Sequence, residues 1–356
     1  MNPRSERKRA WILGVLLVAA LFALLLKSAA LGPSGLRGAS VARGLLAIVG
    51  LTPPLEPNHQ AIVELRAWRG LCAAGVGGAL ALAGALVQGM FRNPLASPSL
   101  IGVTGGASLG AALGFLILGG VVPTGLALGA AWSALLVPTL AFAGAAATTA
   151  VVALVAALHG RTSVTSLLLV GIAVNLCVAG LFAAIQYLTL AEWEVGKAIL
   201  AWTFGALDDR SAAHAATVWI GLTLAALCVP LVARELDLFR SGEDDAQALG
   251  VDTRRVKTIA LVASSLAASA AVAAAGQIGF VGLVVPHLLR LTCTSNYRLL
   301  LWLSIPAGAV FLLGADVLQR IVLGDGVLQP GVMMSLVGGP FFLFLLLRQR
   351  REIAHW

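Results

Sequence analysis

Charge is scarce in this chain of 356 residues: Asp, Glu, Lys and Arg make up 11% of it, against 59% hydrophobic residues. A soluble core of that length has no room for so much apolar surface, so a water-soluble globule is excluded and a polytopic membrane protein is implied. Cysteine is scarce too. Cys72, Cys177, Cys228 and Cys293 stand singly in apolar surroundings with no Cys-x-x-Cys pair, which argues against a thiolate metal knuckle or a redox pair and leaves small core hydrophobes. His59, His159, His214, His287 and His355 are equally scattered, and none has a His or acidic partner at metal-site spacing, so no metal bound by the chain is expected. A phosphate cradle is missing as well. The Gly196-Lys197 pair is followed by Ala198, where a P-loop needs Ser or Thr. Nucleotide hydrolysis, if it drives this protein, belongs to another subunit.

The apolar runs also lack charge at their centres. Their polar residues are Gln88, Asn93, Ser97, Ser99, Thr104, Ser108, Asn175, Gln186 and Gln277. A proton-coupled carrier would be expected to place an acid or a His relay inside a span. Asp316 is the marginal candidate for that role, so an ion-driven secondary carrier is the remote alternative. The same neutrality suits a passage that holds its cargo weakly.

What is abundant is length of apolar sequence. Crossing a hydrocarbon core of about 30 Å takes roughly 20 residues of helix. The chain offers ten such segments, read as Trp11–Leu31, Ile62–Gly89, Leu100–Leu118, Ala130–Leu158, Ser166–Leu188, Ala213–Ala233, Val256–Ala275, Ile278–Leu291, Leu299–Val322 and Leu328–Leu347. The eighth is too short to cross upright and reads as a broken or half-inserted helix. The first, behind Arg4, Arg7, Lys8 and Arg9, has the outline of a secretory signal. Its apolar run exceeds the usual 7 to 15 residues or so, and it is read as a retained span. With the N-terminus inside, the outer side receives Lys27, Arg37, Arg43, Arg66, Arg69, Lys197, Arg210 and Arg320, leaving 16 of the 24 basic residues within. That bias predicts cytoplasmic termini. The net charge of +8 therefore needs no nucleic acid as partner.

Two stretches interrupt helices with Gly and Pro: Gly84-Ala-Leu-Val-Gln-Gly-Met-Phe-Arg-Asn-Pro-Leu-Ala-Ser-Pro98 and Gly276-Gln-Ile-Gly-Phe-Val-Gly-Leu-Val-Val-Pro-His-Leu-Leu-Arg290. Irregular backbone at membrane depth is tolerated where it is buried in protein or lines a cavity, so these stretches mark a pathway. Their residues, Gln88, Asn93-Pro94-Leu95, then Gly279, Phe280, Gly282, Pro286, His287 and Arg290, resemble the permease subunits of ABC importers for iron chelates and cobalamin, the FecCD family. The likeness runs from about Glu64 to Arg348.

The resemblance implies an all-α fold: a single transmembrane permease domain over residues 1–356 with the type II importer architecture. It implies a bacterial inner-membrane homodimer with the passage at the subunit interface, two ATPase subunits that hold ATP and Mg, and a periplasmic binding protein. The chain itself would catalyse nothing and bind no cofactor. The insertion Leu236–Asp252 reads as two short helices capped around Ser241 or Gly242 and stopped at Gly250, with acidic Glu243, Asp244 and Asp245 at the positive helix end. Leu236, Leu238, Phe239, Ala246 and Leu249 give it an apolar surface with no lipid to face. The family uses the matching segment, with Glu243 and Gly250, to dock the ATPase. Arg66 and Arg69, three apart on one helix face, and Arg320 match arginines that dock the binding protein; Arg320 pairing with Asp316 is the plainer alternative. Asn93, Pro94 and Leu95, with Ser163 and Thr165, match the cytoplasmic gate, although Asn93 capping a helix that Pro94 begins is ordinary local chemistry. Family cargoes are haem, ferric siderophores and cobalamin. A passage without interior cations favours an amphipathic cargo such as haem.

Overall fold

The computed structural model describes residues 3–32, 36, 38–122, 129–157, 164–324 and 328–353, and all the regular structure among them is helical. The helices are α1 Pro3–Ala30, α2 Gly38–Ile48, α3 Pro57–Phe91, α4 Val103–Leu118, α5 Ala130–Ala157, α6 Val164–Leu188, α7 Trp193–Thr203, α8 Ala212–Leu227, α9 Val229–Leu238, α10 Glu243–Ala248, α11 Thr253–Ala275, α12 Val281–Thr292, α13 Tyr297–Leu323 and α14 Pro330–Ile353. Each of the ten expected apolar segments is helical. Among the described residues, six helices are individually long and apolar enough to cross a membrane, and the bent pair α8–α9 makes up to seven; α4, α12 and the apolar part of α14 are shorter.

The sixth span departs from expectation. It breaks at Cys228, and α9 leaves α8 at 53°. Pro230, in the first turn of α9, lacks the amide that would continue the helix ladder from Ala226. The eighth is also shorter than read from sequence, because residues 276–280 form a loop and α12 starts at Val281. Two helices, amphipathic α2 and α7, lie outside both the ten apolar segments and the Leu236–Asp252 insertion.

α3 is the axis of the molecule. It is apolar on every side, and nearly all of it from Arg69 to Phe91 is buried; an all-round apolar helix belongs inside. α1, α8, α11, α12 and α13 pack around it. Small residues set those distances, as expected where no hydrophobic effect separates protein from lipid. A Cβ on Gly77 would fall inside the Gly308 backbone of α13, and one on Gly84 inside the Gly282 carbonyl of α12. α1 and α6, by contrast, are peripheral and expose most of their apolar side chains.

Candidate functional site

The two interrupted stretches meet. A cavity of about 300 Å³ is bounded by Ser97 and Pro98 from the first, by Ser99 and Thr104 just beyond it, and by Gln277, Gly279, Phe280 and Gly282 from the second, with Leu80 of α3 between them. A neighbouring opening of about 430 Å³ shares Ser99, Thr104 and Gln277 and adds Asn175 and Phe182 of α6. Among the described residues neither lining contains Asp, Glu, Lys or Arg. Its polar groups are hydroxyls and amides, and several hold one another: Gln277 Nε2 donates to Ser108 Oγ, and Asn175 Nδ2 donates to the Ser99 carbonyl at 3.0 Å.

The irregular backbone of each stretch is satisfied locally. Arg92 closes α3 in the left-handed conformation. Asn93 Oδ1 accepts from Leu95 N at 2.9 Å, which makes a side-chain-closed turn. The expected cap is therefore replaced: Asn93 and Pro94 sit in a turn, and the next helical piece, a 3-10 turn, begins at Pro98. Asn93, Pro94 and Leu95 are exposed, as is Thr165 at the start of α6, and no hydrogen bond joins Thr165 to the other three among the described residues. Ser163 lies outside those residues. In the second stretch the turn after α7 lies over the break. Ala206 N donates to the Ala275 carbonyl at 2.8 Å, and Gly205, at φ 66°, passes so close to the Gln277 carbonyl that only a glycine fits. Gly279 is open to the cavity side with nothing near its Cβ position.

The family-motif residues of α3 and α12 form one device. Pro286 inside α12 has no N–H, so the carbonyl four residues back, that of Gly282, loses its helical partner. Gln88 supplies the replacement: its Nε2 donates to Gly282 O at 3.2 Å. Its Oε1 in turn accepts from Arg290 Nη1 at 2.6 Å. His287 beside Pro286 is buried, and its Nε2 has no hydrogen-bond partner among the described residues.

At the other end of α3 the arginines turn inward. Arg69 is 9% exposed; it donates to both oxygens of Asp316 at 3.1 and 2.7 Å and also pairs with Asp208. Arg320, 7% exposed, donates to the Ser28 carbonyl and hydroxyl at 3.2 and 3.3 Å and to the Leu31 carbonyl at 2.7 Å, and lies 4.0 Å from Asp316. Arg320 thus makes the pairing with Asp316 that the plainer alternative named, and Arg69 shares the same carboxylate. These arginines tie α1, α3, α13 and the turn after α7 together. Asp316, the acid a carrier would need, has both oxygens held by arginine. Arg66 packs against Gly32 and lines a hollow of about 230 Å³ with Asp208 and Asp209. Nearby Arg210 is half-buried; desolvation lowers its pKa, and the adjacent carboxylates of Asp208 and Asp209 oppose that shift without cancelling it.

The insertion also rearranges expectation. Leu236, Phe239 and Ala246 are fully buried in the chain's own core, because α9 and α10 fold back on α3, α11 and α13. Glu243 pairs with Lys257 of α11. Asp237 Oδ1 accepts from Tyr297 N at 2.7 Å, and Arg240 Nη1 donates to the Ser295 carbonyl at 3.3 Å. What faces outward is Leu249, 67% exposed, with Asp244, Asp245 and Gly250, the last at φ 84°; Leu238 is half-buried. Sequence alone does not single out Tyr297, nor pair Asp208 with Arg69 or Ser28 with Arg320, because these partners lie on other elements.

The sequence pattern of the FecCD transport family matches residues 13–348. The cobalamin import system permease protein BtuC of Halobacterium salinarum is 34% identical over 97% of this chain and 98% of its own length. The hemin transport system permease protein HmuU of Yersinia pestis is 36% identical over 82% and 84%, and the Fe(3+) dicitrate transport system permease protein FecD of Escherichia coli is 37% identical over 82% and 87%. Among solved structures, a metal-chelate type ABC transporter in an inward-facing conformation superposes with a TM-score of 0.77 at 26% identity, covering 95% of this chain and 99% of that one.

Proposed function

This chain belongs to the FecCD transport family, and from that premise we propose that it carries haem from the periplasm to the cytoplasm across a bacterial inner membrane. It is the permease subunit of an ABC importer, a multi-pass membrane protein whose ATPase is a separate subunit. The observation that carries the choice of cargo is the lining of the cavity: among the described residues it is apolar groups, hydroxyls and amides without a fixed charge. That surface suits a flat amphipathic chelate better than a highly charged ferric catecholate, which would need cations along its route.

In this reading the chain works as one transmembrane domain, paired with a second copy and with two ATPase subunits that bind ATP and Mg. Both termini are cytoplasmic, which puts the Arg69–Asp316 cluster outside and the α9–α10 insertion inside. Nineteen residues of α3 separate Arg69 from Gln88, about 28 Å of helix, close to the hydrocarbon thickness. The exposed rim at Leu249 with Asp244 and Asp245 is the surface that enters the ATPase, apolar side chain inward and carboxylates at its edge. Arg66, beside its open hollow, is left as the arginine that meets the periplasmic binding protein. Asn93, Pro94, Leu95, Ser163 and Thr165 border the inner gate.

The cargo is tested by loading proteoliposomes with the permease, its ATPase and its binding protein. ATP-dependent accumulation of haem, outcompeting ferric siderophore and cobalamin, is the expected result. Uptake of a competitor with none of haem overturns the cargo and leaves the permease assignment in place.

A further inference from the structure

A continuous line of polar contacts joins the α9–α10 insertion to the wall of the cavity. It begins at Asp237 on α9, which holds the backbone N–H of Tyr297 at the start of α13. Arg240, three residues on, holds the carbonyl of Ser295, so the insertion grips this helix start at two points. The Tyr297 ring lies under the Arg290 guanidinium, 5.7 Å from its carbon, and Arg290 Nη2 donates to Tyr297 Oη at 3.4 Å. Arg290 reaches Gln88, and Gln88 reaches the carbonyl of Gly282, a residue that borders the cavity.

We propose that Tyr297, Arg290 and Gln88 are positioning residues that transmit movement of the α9–α10 insertion to the first turn of α12, and so to one wall of the passage. The inference rests on the reading of that insertion as the ATPase contact. The argument lies in what Pro286 removes. An uninterrupted helix would hold the Gly282 carbonyl within its own ladder, and its first turn would follow the rest of α12. Here the first turn of α12 is tethered through that carbonyl to Gln88 on α3, at a proline where helices bend. The tether is buried: Gln88 is 1% exposed, so loss of its partner cannot be made good by bulk water. The aromatic contact completes the line. Gly89, next to Gln88, leaves room for the Tyr297 ring, since a Cβ there would lie 2.9 Å from the ring edge. Arg290 has no carboxylate partner among the described residues, so its orientation is set by Gln88 and Tyr297.

A purely structural cluster would hold the same contacts without transmitting anything, and the double variant Gln88→Ala/Pro286→Ala separates the two. Alanine at 286 returns an N–H to the Gly282 carbonyl, so the bond that Gln88 made is replaced from within α12. In proteoliposomes of the complete importer, the double variant is expected to keep the wild-type thermal midpoint and ATPase rate while moving about tenfold less cargo per ATP, a change within the range seen for residues along coupling networks. Tyr297→Phe, which keeps the ring and loses the hydroxyl, is expected to lower the same ratio about twofold. Wild-type cargo per ATP in the double variant overturns the relay. Should that variant fail to assemble, Arg290→Lys decides on the same ratio: a wild-type value overturns the relay and a reduced one supports it. Leu249→Asp, run beside them, tests the premise alone: loss of ATPase association upholds it, and intact association and uptake contradict it whatever the relay variants do.

Discussion

Asp316→Ala is expected to destabilise the permease by about 3–5 kcal/mol, the range for leaving a buried charge without its partner. The carboxylate is 1% exposed and takes two hydrogen bonds from Arg69, with Arg320 4.0 Å away. Removing it leaves buried Arg69 and Arg320 with Asp208 as the nearby acid, and Asp208 is partly exposed to water. Thermal unfolding in detergent checks this, as a fall of roughly 6–20 °C in midpoint. Arg69→Ala should cost a similar amount, and the double variant much less than the sum, because the two changes remove one interaction. An Asp316→Ala protein as stable as wild type would mean that the network is ornamental. Charge reversal at Arg69 or Arg320 would therefore report on folding, so a docking test belongs at Arg66.

Gly84→Ala is the second large effect. Its Cβ would enter the Gly282 carbonyl, and the reciprocal Cβ on Gly282 would lie 2.6 Å from the Leu80 carbonyl. Both obstacles are backbone, so no rotamer change relieves the clash and the two helices must separate. Overpacking costs about 1–3 kcal/mol where side chains can yield, and more where they cannot. A separation would also break the Gln88 bond to Gly282 O. Gly84→Ala is expected to lose most of its monodisperse peak in size-exclusion chromatography, whereas Gly279→Ala, with open space around it, should elute as wild type. Equal behaviour of the two variants would contradict the packing.

These positions also show what sequence could and could not supply. The apolar runs and the Gly-Pro interruptions were legible because each is a local property: a run is long enough to span or it is not, and a glycine or proline breaks a helix where it stands. The motif residues Gln88, Gly282, Pro286 and Arg290 could be picked out one by one. Their shared purpose could not, since Gln88 and Arg290 are 202 residues apart and only folding reveals that Gln88 replaces the bond Pro286 removes.

The same limit explains the arginines. Spacing put Arg66 and Arg69 on one helix face, but nothing local says that Asp208, 139 residues on, will meet Arg69. Leu236, Phe239 and Ala246 looked like a surface for a partner because no lipid faces that segment. The chain's own helices cover them instead, leaving Leu249 outside. The break at Cys228 was a local signal passed over: Pro230 was in plain view within an apolar run long enough to suggest one span.

The central claim, that the cavity between the two interrupted stretches forms part of the wall of the cargo's route, is tested most directly by a single thiol at that wall. With Cys72, Cys177, Cys228 and Cys293 replaced, Gly279→Cys places a sulfur where the structure has free space. The reconstituted importer should transport until a bulky maleimide is attached, then lose nearly all ATP-driven uptake while its ATPase continues. Full uptake by the labelled protein would contradict the route.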